Sequence, residues 1–222
     1  MEFFDVHAHC IRGQRGGILI GLEGEPHFDS TMTNVDVEKA TANNNNFVGA
    51  YYIDRHFGMV KDEKILKYHP RREQYTAEQV MDDLKKRACK LCIIDTLNQP
   101  NWQPLDYWKV IIAHKNITFL LSHVGGYDII DFLKMLDFNK NVYVDFSMTQ
   151  EYFGWCGNRA RLGVVADGID FCLNSQKLST HVLFGSDEPF FSQQVAYEKY
   201  LTYKSAENVL INNYIELMSK IN

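Results

Sequence analysis

Two histidines one residue apart, His7 and His9, follow the apolar run Phe3 to Val6. A short apolar run with no room for a helix ahead of it reads as a buried strand. Residues i and i+2 of a strand point to one side, so both imidazoles can converge on one point. Two imidazoles at a strand exit form half of a divalent-metal site; the competing reading is a pair of surface histidines beside a turn. Further along, Arg55, His69, Arg71, Asp95, His123 and Asp187 each stand at or just beyond the end of an apolar stretch. A site of His7, His9 and a carboxylate has the ligand balance for Zn2+, with Mn2+ or Fe2+ as alternatives. Such an ion acidifies bound water, and a neighbouring His or Asp must then move protons. Cys89-Lys90-Leu91-Cys92 spells C-x-x-C, but where a helix gives way to a strand and not the reverse, so buried thiols are expected there and not a redox pair.

Bringing those scattered residues together requires a repeating frame. Strands are expected at Phe3 to Val6, Ile18 to Gly21, Phe47 to Ile53, Lys64 to His69, Leu91 to Asp95, Ile117 to Ser122, Val142 to Phe146 and His181 to Ser186. Helices are expected between them. Thr33-Asn34-Val35-Asp36 and Thr76-Ala77-Glu78-Gln79 read as capped starts. Leu105 to Ala113, Ile129 to Leu136, Arg159 to Cys172, Gln193 to Tyr203 and Ala206 to Met218 are helical in composition. The rhythm of strand, loop and helix counts to eight strands if the short second one is allowed, which predicts an α/β fold of the closed (β/α)8 type. A doubly wound open sheet is the alternative, but no Gly-rich dinucleotide fingerprint follows any strand. In a barrel the strand-end residues would share the carboxyl-terminal face, where barrel active sites are built.

The 222 residues are 45% hydrophobic, 13% aromatic, and carry a formal net charge of −5. One domain spanning 1–222 is expected. The negative balance argues against nucleic acid or an anionic membrane as partner. His7, His9, Glu2 and Asp5 oppose an apolar leader, and no apolar run approaches the ~20 residues of a membrane span. Five scattered cysteines fit a reducing cytoplasm.

Several ordered motifs resemble the amidohydrolase superfamily, in its branch of small mononuclear barrels that includes aminocarboxymuconate semialdehyde decarboxylase and several lactonases. Asp5-Val6-His7-Ala8-His9 is similar to that family's first-strand H-x-H, and Leu66-Lys67-Tyr68-His69-Pro70-Arg71 to its K-x-H-P segment. Leu120 to Gly126 resembles the histidine-glycine turn after the sixth strand, and Asn141 to Ser147 the seventh strand. Leu183-Phe184-Gly185-Ser186-Asp187-Glu188-Pro189-Phe190 is similar to the eighth-strand G-[ST]-D-x-P, and Glu207 to Tyr214 to the closing helix.

The resemblance implies that His7, His9 and Asp187 hold one divalent metal, Zn2+ first among the candidates. It implies Asp187 as proton acceptor and His123 as the group that polarises water or substrate. One departure stands out: where the family's fifth strand ends in a metal-binding histidine, this chain has Asp95. Asp95 is either a fourth ligand or a structural or proton-transfer group. His69, Arg71 and Arg55 are expected to contact the substrate, the arginines by gripping a carboxylate. Trp102 and Trp155 are either packing or pocket walls, and Asp145 is read as structural support. The expected function is metal-dependent hydrolysis of a small carboxylated ester, lactone or amide. Nonoxidative decarboxylation or hydration on the same site is the first alternative, and a catalytically impaired binding barrel the second. The expected partner is a small anionic molecule, with a homodimer left open.

Overall fold

Eight apolar segments and seven helical segments can bury both faces of a sheet only if the sheet is parallel and wrapped by its helices. The computed structural model describes residues 2–22, 31–97, 101–149 and 159–221, and shows that arrangement. The strands β1 (Phe4–Ala8), β2 (Gly16–Ile20), β3 (Phe47–Ile53), β4 (Ile65–Tyr68), β5 (Leu91–Asp95), β6 (Thr118–Ser122), β7 (Val142–Asp145) and β8 (Val182–Leu183) pair in chain order, all parallel. Closure between β8 and β1 runs through the hydrogen bonds Val6 N–H to Phe184 O (2.9 Å), Asp187 N–H to His7 O (2.7 Å) and His9 N–H to Glu188 O (2.8 Å). The eighth strand is therefore shorter than expected. Beyond Leu183 the chain still bonds to β1, and Asp187, at φ 63°, has its carboxylate in the barrel mouth.

The helices are α1 (Asn34–Asn43), α2 (Pro70–Glu73), α3 (Ala77–Leu84), α4 (Pro104–Ala113), α5 (Ile129–Phe138), α6 (Arg159–Asn174), α7 (Gln193–Tyr200) and α8 (Asn213–Ile221). Both expected capping boxes form, Thr33 with Asp36 and Thr76 with Gln79. The sequence reading missed α2: Pro70, which stops the strand, also starts a single helical turn as its first residue. The second strand begins two residues earlier than expected. Gly16 and Gly17 permit this, since Gly17 has φ 145° and a Cβ there would sit 1.9 Å from Asp5 O.

Side chains divide into a layer between sheet and helices and a layer inside the barrel. Inside lie Val6, Ile18, Ile20, Ile65, Leu91, Ile93, Leu120, Tyr143 and Leu183, joined by Tyr214, Leu217 and Ile221 from α8. The Tyr214 ring stacks on Phe4 at 4.4 Å and its hydroxyl reaches Gly17 O at 3.4 Å, so α8 seals the end where the strands begin. One irregularity matters for the site. Asp5 pairs with Gly17 and Ala8 with Leu19, so β1 has one residue more than β2 over this stretch, a bulge. Val6 faces inward, and yet His7 also faces inward, while Ala8 packs outside with Leu19, Val37 and Phe47.

Candidate metal centre and its cavity

Above the apolar floor, the strand ends supply a polar layer: His7, His9, Lys67, Asp95, His123 and Asp187, every one buried. They line a cavity of about 350 Å³ with His69, Arg71, Arg72, Leu22, Met148, Phe190 and Phe191.

The tautomers follow from the partners. His9 Nδ1 lies 2.9 Å from the carbonyl of Ile20, which can only accept, so that nitrogen carries the proton. His7 Nδ1 lies 3.2 Å from Asp145 Oδ2 and is likewise the donor. Each ring then presents an Nε2 lone pair, and both point at Asp187 Oδ1, at 3.5 Å from His7 and 3.4 Å from His9. Burial and the nearby Lys67 charge, against the pull of Asp145, lower the His7 pKa to about 4, so this ring stays neutral. Burial works to raise Asp187, but His9, His7 and His123 hold its carboxyl below the usual range.

Three acceptors thus converge with no proton between them, an arrangement that repels itself unless a cation sits at its centre. Tetrahedral ligands at the usual zinc distances stand about 3.3 Å apart, close to the spacing seen. Histidine ligands normally donate their other N–H to a carboxylate or backbone carbonyl, and Asp145 and Ile20 fill those roles. The residues present therefore fit a divalent metal. Asp145 is itself fixed: its Oδ1 accepts from the backbone N–H of His123 (3.2 Å) and of Ser147 (3.0 Å), and from the Ser147 hydroxyl. Burial pushes its pKa up, but His7, His123 and Ser147 outweigh that and keep it ionised. Gly185 leaves room for this pair, since a Cβ there would stand 2.9 Å from His7 Cβ and 3.1 Å from Asp145 Cγ.

Asp95 falls outside the His7–His9–Asp187 group. Its Oδ2 lies between His69 Nε2 (3.2 Å) and His123 Nε2 (3.4 Å), and its Oδ1 accepts from Leu97 N–H (3.1 Å). Burial opposes ionisation, but both imidazoles and Lys67 hold its carboxyl well below the ordinary value. His123 Nδ1 meets the Ser147 carbonyl at 2.9 Å, so both of its nitrogens face acceptors and the ring is held as an imidazolium. Burial lowers its pKa, but Asp95 prevails and the net shift is upward. His69, by contrast, is driven down to about 3 by burial despite Asp95, and stays neutral.

Of the residues expected to meet a substrate, His69 and Arg71 line the cavity; Arg55 does not. Its side chain is 61% exposed and pairs with Glu73 at 3.5 Å, while Arg72, from α2, takes a place in the cavity wall and stacks over Tyr52. Trp102 is packing: it lies against Tyr107 and donates to Tyr75 O at 3.0 Å. Trp155 and residues 23–27 and 98–100 lie outside the described residues. Cys89 and Cys92 are both free, and burial pushes the Cys89 thiol up to about 12. The sequence reading missed Lys67, Ser147 and Phe190. Only Lys67 carried a signal, as a cation inside an otherwise apolar strand.

No family profile and no curated protein matches the chain. Solved structures do. An uncharacterized TIM-barrel protein from Bordetella bronchiseptica superposes with a TM-score of 0.64 at 17% identity, covering 94% of this chain and 79% of that one. An amidohydrolase 2 from Bifidobacterium longum subsp. infantis gives 0.63 at 14%, covering 99% of each chain. A protein from Pseudomonas putida, provisionally assigned as a 2-pyrone-4,6-dicarboxylic acid hydrolase, gives 0.61 at 12%, covering 98% and 97%. At such identities the likeness establishes the (β/α)8 barrel fold.

Proposed function

We propose that the chain is a metal-dependent enzyme of the amidohydrolase type that hydrolyses a small carboxylated ester, lactone or amide. The observation that carries this reading is the convergence of the His7 Nε2, His9 Nε2 and Asp187 Oδ1 acceptors on one point. The two structural neighbours named as a hydrolase and an amidohydrolase support it through their shared fold. A divalent ion held there, zinc first among the candidates, supplies Lewis acidity and lowers the pKa of a coordinated water. Asp187 Oδ2 has no partner among the described residues and is placed to take a proton. His123, as an imidazolium braced by Asp95 and the Ser147 carbonyl, donates a proton to the leaving group. Arg71 binds the substrate carboxylate, and Leu22, Phe190 and Phe191 exclude water. Of the charged groups that line the cavity, Lys67, Arg71, Arg72 and the imidazolium outnumber Asp95 and Asp187, so the cavity attracts anions.

Nonoxidative decarboxylation is the second reading, favoured by the protonated state of His123, since carbon left by departing CO2 needs a proton. Protein purified without chelator is expected to carry about one divalent ion per chain and to turn over a member of a lactone, ester, amide and carboxylated-aromatic library. Asp187→Asn is expected to abolish that turnover. Absence of metal, with none gained on reconstitution, defeats the proposal. Release of CO2 without uptake of oxygen from labelled water selects the second reading.

A further inference from the structure

The cavity has two unlike sides, and the pairing order of the strands sets them apart. Lys67 lies on β4, and Arg71 and Arg72 follow it. Met148 follows β7, and Phe190 and Phe191 follow β8. In an eight-strand ring paired in chain order, β8 stands opposite β4. A ligand whose charged end is held at the β4 side therefore turns its other end toward Met148 and Phe191. A second cavity, of about 20 Å³, shares that wall, because Met148 and Phe191 line both. It has room for about one water-sized group. The rest of its lining is mostly apolar, with Phe146 after β7, Ile169 and Leu173 on α6, and Ala196 on α7. The hydroxyls of Ser147 and Ser186, which also line it, are already committed to Asp145 and Asp5. Met148 is held in the shared wall at φ 51°, a left-handed backbone setting that residues other than glycine rarely adopt.

We propose that Met148 and Phe191 form a partition between the cavity and the apolar chamber behind it, and so limit the length of a ligand's apolar end. The inference rests on reading this cavity as the substrate site, though neither on the metal nor on the reaction. A Phe191 that served packing alone would, once truncated, weaken ligands of every length alike.

The test is calorimetric titration of metal-stripped, dialysed protein with acetate, butanoate, hexanoate, octanoate and decanoate, repeated with zinc restored. Each methylene that finds apolar cover adds about fourfold in affinity. Wild type is expected to gain on that scale over the short members and to stop gaining before decanoate. Met148→Ala and Phe191→Ala join the two cavities, and each should raise the decanoate-to-acetate affinity ratio by roughly tenfold. Phe191→Trp thickens the partition and should move the limit to a shorter acid. Thermal denaturation checks that all variants fold. An unchanged ratio in folded Met148→Ala and Phe191→Ala overturns the proposal, as does a wild type whose affinity climbs evenly through decanoate. A wild type that binds none of the five acids overturns it too. Because the stripped protein is measured without metal or turnover, a chain that holds no metal and hydrolyses nothing leaves this result legible.

Discussion

The strongest lever on the metal reading is Asp145, which lies outside the His7–His9–Asp187 group and acts on it through His7. Its Oδ1 is saturated by two backbone N–H groups and the Ser147 hydroxyl, so in Asp145→Asn the amide oxygen must take that place. The amide NH2 then occupies the Oδ2 position, 3.2 Å from His7 Nδ1. A donor facing that nitrogen forces the His7 proton onto Nε2, where the ring points at Asp187. The ring now offers an N–H where a lone pair is needed. Losses of this kind cost about 10- to 100-fold in metal affinity, which is about 1.4–2.7 kcal/mol at 1.36 kcal/mol per decade. Competition for zinc against a chromogenic chelator measures it, with denaturation of the metal-free variant as the check on folding. A folded Asp145→Asn protein whose zinc affinity matches wild type would refute the tautomer argument.

Gly185→Ala should overpack the same pair, because its new Cβ stands 2.9 Å from His7 Cβ; a loss of about 1–3 kcal/mol in urea unfolding is expected. An unchanged midpoint would show that the strand end yields without cost. For His69, burial lowers the folded pKa from 6.5 to about 3. Between those values the unfolded chain holds a proton that the native one lacks, so native stability falls as pH falls through this window, by about 1.4 kcal/mol per pH unit. Metal-free His69→Asn should show a shallower acid slope by that amount, and an identical slope would mean that His69 is protonated in the native state.

Residues tied to a strand end were legible in the chain. His7, His9, His123 and Asp187 needed only the alternation of strands and helices to be gathered on one face, and the barrel gathers them. What Asp95 touches was not legible, because it depends on which strands flank β5. In chain-order pairing these are β4 and β6, and their ends deliver His69 and His123 to either side of one carboxylate oxygen. Arg55 was misplaced for a related reason. The unanticipated helical turn Pro70–Glu73 carries Glu73 to the end of β3, where it draws Arg55 aside and accepts from Tyr52 at 2.6 Å. Lys67 carried a signal as a lysine within an apolar strand, but what it faces was not legible until closure of the barrel left that strand no edge.

The single surplus residue in β1 makes the site a matter of counting as well as of chemistry. A strand repeats every two residues, so Phe4 and Val6 facing inward would send His7 and His9 to the helix side of the wall. The bulge between Asp5 and Ala8 shifts that phase by one, and lets one strand feed the apolar floor and then the polar mouth. Removing one residue there would leave every remaining side chain in kind and still split the pair of functions: either the floor loses its valine or the mouth loses its histidines. Tolerance in this strand is thus expected to be wide for side-chain identity and narrow for length, a distinction that substitution scanning cannot reveal and a one-residue deletion can.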